Sequence, residues 1–191
     1  MTLPTEFLVH VVGILERLGI RYHVGGTMAS SAHGMYRASA DVDFVIDPSA
    51  DQLQALAEAL GPEFYVSRGA MAEALAHRGT FNAIHEETSF KIDFFLKGSS
   101  PFDDEELRRS IPQSVGGAGR TVLLKSAEDT VLRKLDWYRR GGEASERQWQ
   151  DVVAILSAQR GQLDDPHLDH WAAELGVGDL LERARRQSED S

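Results

Sequence analysis

The sequence predicts an α+β fold: a small mixed or antiparallel sheet flanked by helices over residues 1–124, then a helical C-terminal region over 125–191 expected to pack on that core. Three observations lead there. Short runs rich in β-branched and aromatic residues, bounded by Gly, Pro, Asp and Ser, recur through the first two thirds of the chain and read as strands. Between them lie segments with apolar residues at helical spacing. Beyond Leu124 helical spacing takes over altogether.

Phe7, Val11, Ile14, Leu15 and Leu18 line one face of a first helix over 4–19, which Gly19 stops. Ile20 to Val24 reads as a strand running into Gly25-Gly26, and Thr27 to His33 as a small-residue helix with Thr27 at its N-cap. A strand through Asp41 and Asp43 ends at Asp47-Pro48-Ser49, which also starts a helix over about 50–60. Gly61-Pro62 breaks that helix. A short strand over 63–67 and a helix over 69–77 follow, then antiparallel strands over 80–86 and 89–96. Residues 97–110 read as a long loop with a helical turn at 103–109, and Val115 to Leu124 as a hairpin ending in an edge strand.

Ser126-Ala127-Glu128-Asp129 resembles a capping box with Asp in place of Glu. Val131, Leu132, Leu135 and Tyr138 then follow at helical spacing up to Gly141-Gly142, and helices over 146–160, 165–175 and 177–187 complete the chain. Trp137, Tyr138, Trp149 and Trp171 read as core anchors, and His167 and His170 as a surface pair.

With 191 residues and 42% hydrophobic content the chain can bury a substantial core. Its 20 Lys+Arg against 30 Asp+Glu give a charge of −10, which argues against broad electrostatic capture of nucleic acid but leaves room for a local basic groove. The absence of cysteine excludes disulfides, thiolate zinc sites and a cysteine nucleophile. The opening Met-Thr-Leu-Pro-Thr-Glu-Phe has no basic, apolar signal pattern, and no apolar run approaches the ~18–20 residues that span a bilayer, so a cytoplasmic protein is expected.

The chemistry concentrates in three aspartates. Asp41 and Asp43 stand two apart on one apolar strand and so share a face, while Val42, Phe44 and Ile46 point the other way. Asp93, 50 residues after Asp43, repeats the pattern between Ile92 and Phe94. Carboxylates gathered on an otherwise buried sheet repel and lose hydration unless cations neutralise them, and a hard divalent ion such as Mg²⁺ or Mn²⁺ prefers such oxygen ligands. Upstream, Gly25-Gly26-Thr27 at a strand-to-helix junction lets a ligand approach the backbone and offers N–H groups to a phosphate, although two glycines after a strand also make an ordinary tight turn. Gly116-Gly117-Ala118-Gly119 lacks a following Gly-Lys-Ser/Thr and reads as a hairpin turn.

Together these motifs resemble the minimal nucleotidyltransferases of the polymerase-β-like superfamily: Gly-Gly opening a helix, Asp-x-Asp on the next strand, a third acid on a later one. The likeness is greatest to the AbiEii-type toxin nucleotidyltransferases, through Arg37-Ala38-Ser39-Ala40-Asp41-Val42-Asp43 and, more loosely, Ser126-Ala127-Glu128-Asp129, Lys134-Leu135 and Asp151-Val152. The resemblance implies the nucleotidyltransferase fold, an NTP substrate and a hydroxyl acceptor on RNA such as tRNA, on protein or on a small molecule. It also implies an antitoxin partner. Asp41 and Asp43 would bind two metals ~3.5–4 Å apart, and Asp93 would complete the site and help deprotonate the acceptor. Gly25, Gly26 and Thr27 would cradle the triphosphate. Arg37 and Lys134 would touch phosphate, with a structural salt bridge and a solvated helix face as their respective alternatives, and Asp151 would pair with Arg147 or Lys134. Many active members carry Ser where this chain has Gly26. The reading from a different class is a catalytically silent nucleotide- or partner-binding module with the same fold.

Overall fold

The computed structural model describes residues 3–34, 41–115 and 119–189. In the first part of the chain the elements are α1 (Leu3–Arg17), β1 (Arg21–Val24), α2 (Gly26–Ala32), β2 (Asp41–Asp47), α3 (Ala50–Leu60), β3 (Phe64–Val66), α4 (Arg68–His77), β4 (Thr80–His85), β5 (Lys91–Leu96), α5 (Pro101–Arg108), β6 (Ile111–Val115) and β7 (Arg120–Leu124). Four helices follow: α6 (Ala127–Arg140), α7 (Glu146–Ala158), α8 (Asp165–Glu174) and α9 (Gly178–Glu189). The chain divides into two compact units, one running to Met28 and resuming from β2 to Lys125, the other holding the end of α2 and the C-terminal helices.

The first unit is built on a seven-stranded mixed sheet of order β3-β4-β5-β2-β1-β7-β6. β2 pairs in parallel with β5 and antiparallel with β1, and β1 pairs in parallel with β7. The α+β architecture read from the sequence is thus observed, with one correction at the sheet margin: β7 is an inner strand, and the edge belongs to β6. The Pro112-containing strand suits an edge, because proline has no N–H for a second neighbour. The turn residues Gly116, Gly117 and Ala118 lie outside the described residues.

Strict alternation in β2 and β5 places Val42, Phe44, Ile46, Ile92, Phe94 and Leu96 on a fully covered face. Leu8, Val11, Val12, Ile14 and Leu15 of α1 and Leu53 and Leu56 of α3 belong to the same apolar cluster. Phe44 and Phe81 stack on opposite sides of Phe94, with ring centroids 5.6 and 4.9 Å away. Phe94→Ala is expected to cost about 3–5 kcal/mol of folding stability, because it deletes the middle of a close-packed aromatic row; urea unfolding would measure it. Ser49 caps α3 in a reciprocal capping box with Gln52. That glutamine also donates to the Leu18 carbonyl, fixing the end of α1 against the start of α3.

Thr27 is not the N-cap of α2: the helix begins at Gly26, and Thr27 lies buried in its first turn. The segment read as a loop with one turn is instead helix α5, held by a Ser100–Asp103 capping box.

In the second unit Leu132, Leu135, Val152, Ile155, Leu168, Leu180 and Leu181 are buried. Trp149 is buried as anticipated, donating to the Gln187 side chain at 2.8 Å and lying under the Arg183 guanidinium at 3.9 Å. Trp137 is 46% exposed and is no core anchor. Ser126 caps α6 by accepting the Asp129 N–H, but the box is one-sided. The Asp129 carboxylate instead meets His167 Nε2 at 2.7 Å. The His167 side chain is therefore buried, while His170 is exposed, and the expected surface pair does not exist.

Candidate active site

The non-core face of β2 and β5 carries the acids. In the parallel register Asp43 is the partner of Asp93, and Asp41 is the partner of Lys91. Partner residues on neighbouring strands lie about 4.8 Å apart and point to the same side, so the three carboxylates share one patch. All three are partly covered rather than buried. Antiparallel pairing with β4 puts Asn82 on the far side of Asp93. Four residues beyond Asp43 along β2, Asp47 pairs with Arg21 of β1 and Arg78.

Lys91 enters this patch unforeseen. Its Nζ stands 2.5 Å from Asp93 Oδ2. That hydrogen bond, reinforced by the charges of Asp93, Asp41 and Asp43 and opposed by slight burial, raises the lysine pKa above its ordinary value. The Lys91 ammonium is accordingly charged at neutral pH and gives up its proton only when the solution becomes alkaline enough to pass that raised pKa. The same period-2 rule that aligned the aspartates would have found it, since Lys91 precedes Asp93 by two.

Gly25 and Gly26 join β1 to α2 directly beside Asp43. The Gly25 N–H donates to the Asp43 carbonyl at 2.9 Å. Gly26 has φ +54°, and a Cβ there would stand 1.7 Å from Asp43 Oδ2 and 2.6 Å from its Cγ. The Asp43 carboxylate thus occupies the space that a side chain at position 26 would need. A Ser at position 26, which the family resemblance leads one to expect, would collide with Asp43 in its present rotamer. Below Gly25 lies a buried ion pair with no sequence signal, Lys125 Nζ to Glu106 Oε1 at 2.8 Å, with the Lys125 stem 3.9 Å from where a Gly25 Cβ would be.

Among the described residues no three acid or histidine side chains converge closely enough, as they stand, to hold a metal ion. The donor set nevertheless suits one. It is all oxygen, it shares one face in register, and an ammonium stands in its midst as a monovalent stand-in for a cation. Arg37 lies outside the described residues. Lys134, in the second unit, bonds Asp151 at 2.8 Å, with side-chain exposures of 16% and 1%. Lys134→Met takes that ammonium from a buried carboxylate and is expected to cost about 3 kcal/mol, measured by urea unfolding. No helix among the described residues is long and apolar enough to cross a membrane.

Among solved structures, the chain resembles the antibiotic-resistance factor ANT(2'')-Ia at 16% identity and TM-score 0.55, covering 95% of this chain and 96% of that one. An antigenic nucleotidyltransferase-like protein from Paracoccidioides brasiliensis matches at 17% identity and TM-score 0.58, with 96% and 93% covered. The lincosamide antibiotic adenylyltransferase LnuA, in its lincomycin-bound structure, matches at 18% and 0.51, with 83% and 98% covered. At these identities the likeness establishes a shared nucleotidyltransferase-like fold. No curated protein matched the sequence. The family model described as the nucleotidyl transferase AbiEii toxin of type IV toxin–antitoxin systems matches residues 24–187, a span that takes in the Gly25-Gly26 turn, all three aspartates and most of the C-terminal helices, and the chain belongs to that AbiEii nucleotidyltransferase toxin family.

Proposed function

We propose that this chain is a metal-dependent nucleotidyltransferase that moves a nucleoside monophosphate from an NTP to a hydroxyl acceptor, releasing pyrophosphate. The observation that supports this most is the pairing of Asp43 with Asp93 across β2 and β5, with Asp41 on the same face and Gly26 pressed against Asp43. Asp41, Asp43 and Asp93 would hold Mg²⁺ or Mn²⁺, which when bound would neutralise charge on the α-phosphoryl group and the departing pyrophosphate. Asp93, at the side of the patch next to Asn82, accepts the proton of the attacking hydroxyl, whose oxygen bonds to the α-phosphorus as the bond to pyrophosphate breaks. The exposed Gly26, following the buried Gly25, would let the triphosphate approach the backbone, with Thr27 behind it in α2. The family resemblance implies phosphate contacts for Arg37 and Lys134, although Lys134 is held by Asp151.

Acceptor candidates remain tRNA, a protein hydroxyl and a small molecule such as the antibiotic substrates named for the structural neighbours. The family membership favours a cellular target whose modification is harmful, and with it an antitoxin partner. Incubation with α-labelled NTPs, Mn²⁺ and separated tRNA, protein and small-molecule fractions should put label in one fraction. Nucleotide binding with no transfer to any of them would instead favour the silent binding module.

A further inference from the structure

We propose that Lys91 is a built-in counter-ion of the Asp41, Asp43 and Asp93 face, which a divalent cation must displace, so that this lysine sets how tightly the site takes metal. The inference rests on the reading of these carboxylates as metal ligands. Its ground is geometric. Lys91 is the register partner of Asp41, and Asp43 that of Asp93, so the four side chains mark the corners of one patch on one face. Its sides are about 4.8 Å across the strands and about 6.6 Å along them. The lysine stem lies along β5 and delivers Nζ to Asp93 Oδ2 at 2.5 Å.

Three acids this close repel one another, and an ammonium among them lessens that repulsion while no metal is bound. A divalent ion carries twice the charge and takes several oxygens at once, so it can win the site, but its gain is measured against the ion pair it breaks. The lysine side chain is 44% exposed against 19% for Asp93, so the ammonium has an open route to water when it leaves while the carboxylate stays. Lys91 is thus a positioning residue: it holds Asp93 in place and is exchanged for the ion.

The test uses the full chain with two substitutions that should act in opposite directions. Lys91→Met keeps the stem and removes the charge. It should bind Mn²⁺ several-fold to about tenfold more tightly by titration calorimetry, melt lower than wild type in EDTA, and regain more than wild type on adding Mn²⁺. Lys91→Arg offers a planar fork that grips a carboxylate with two bonds, and should bind Mn²⁺ more weakly than wild type while melting no lower in EDTA. If Mn²⁺ binding is lost in Asp43→Asn yet is the same in wild type, Lys91→Met and Lys91→Arg, the counter-ion role is overturned and the metal site stands. If neither wild type nor Lys91→Met binds Mn²⁺, the metal reading falls, and this inference with it.

Discussion

Replacing Asp41 and Asp43 together with alanine should abolish label transfer from NTP, by at least ~1000-fold, since single groups that stabilise transition-state charge each contribute about 10²–10³. That corresponds to about 4 kcal/mol of lost barrier reduction. The same double variant should melt in EDTA at or above the wild-type temperature. Both side chains lie on the partly covered face, away from the Val42–Phe44–Ile46 core, and removing them relieves repulsion within the patch. An inactive but undiminished fold separates a site role from a structural one. If cells expressing wild type grow poorly, the double variant should restore growth. Retained transfer at more than a tenth of wild type would rule out these two residues as the centre of the chemistry.

Gly26→Ala should be nearly as damaging, though it alters no charge. Two costs coincide. A non-glycine residue at φ +54° costs about 1–2 kcal/mol. The new Cβ would also stand 1.7 Å from Asp43 Oδ2 and 3.0 Å from its Cβ, so Asp43 must turn to another rotamer and leave its place in the patch. Transfer is expected to fall about 100-fold, with a melting temperature lowered by several degrees. Placing Gly26→Ala in an Asp43→Ala background distinguishes the causes. With the carboxylate gone only the 3.0 Å approach to the residue-43 Cβ remains, and the glycine substitution should then cost stability through the backbone and that contact and no further activity. Additive activity losses would mean that Gly26 acts independently of Asp43, through the triphosphate.

What could be read beforehand follows from what each pattern encodes. Alternation in Asp41–Asp47 and Lys91–Leu96 fixed which way each side chain points, because the strand period is two whatever the neighbours. It says nothing of which strand lies alongside, so the pairing of Asp43 with Asp93, two parallel strands separated by the β3–β4 excursion, needed the structure. Edge status was misjudged for a related reason: the apolar Thr121 to Leu124 looks like any half-buried strand, and its inner position depends on the distant β1. Residue type alone favours Thr27 as a cap, but Gly26 already adopts the helix start. His167 was placed on the surface by its spacing from His170, whereas burial comes from Asp129, 38 residues away. Trp137 was assigned to the core on its size, and the helix face it occupies overrides that preference. Lys91 was within reach of the same reasoning as the aspartates, and the buried Lys125–Glu106 pair was not, since it joins a helix to the residue after a distant strand.

On the proposed function, the central place of β2 bears on when the activity can first appear. Its neighbour on one side, β1, is made before it, but β5 on the other side is made only after two intervening strands and two helices. A growing polypeptide that has emerged only as far as α4 therefore has half a site and no third acid. On that reading, a chain released before β5 should transfer no nucleotide, and activity waits until synthesis has passed the fifth strand.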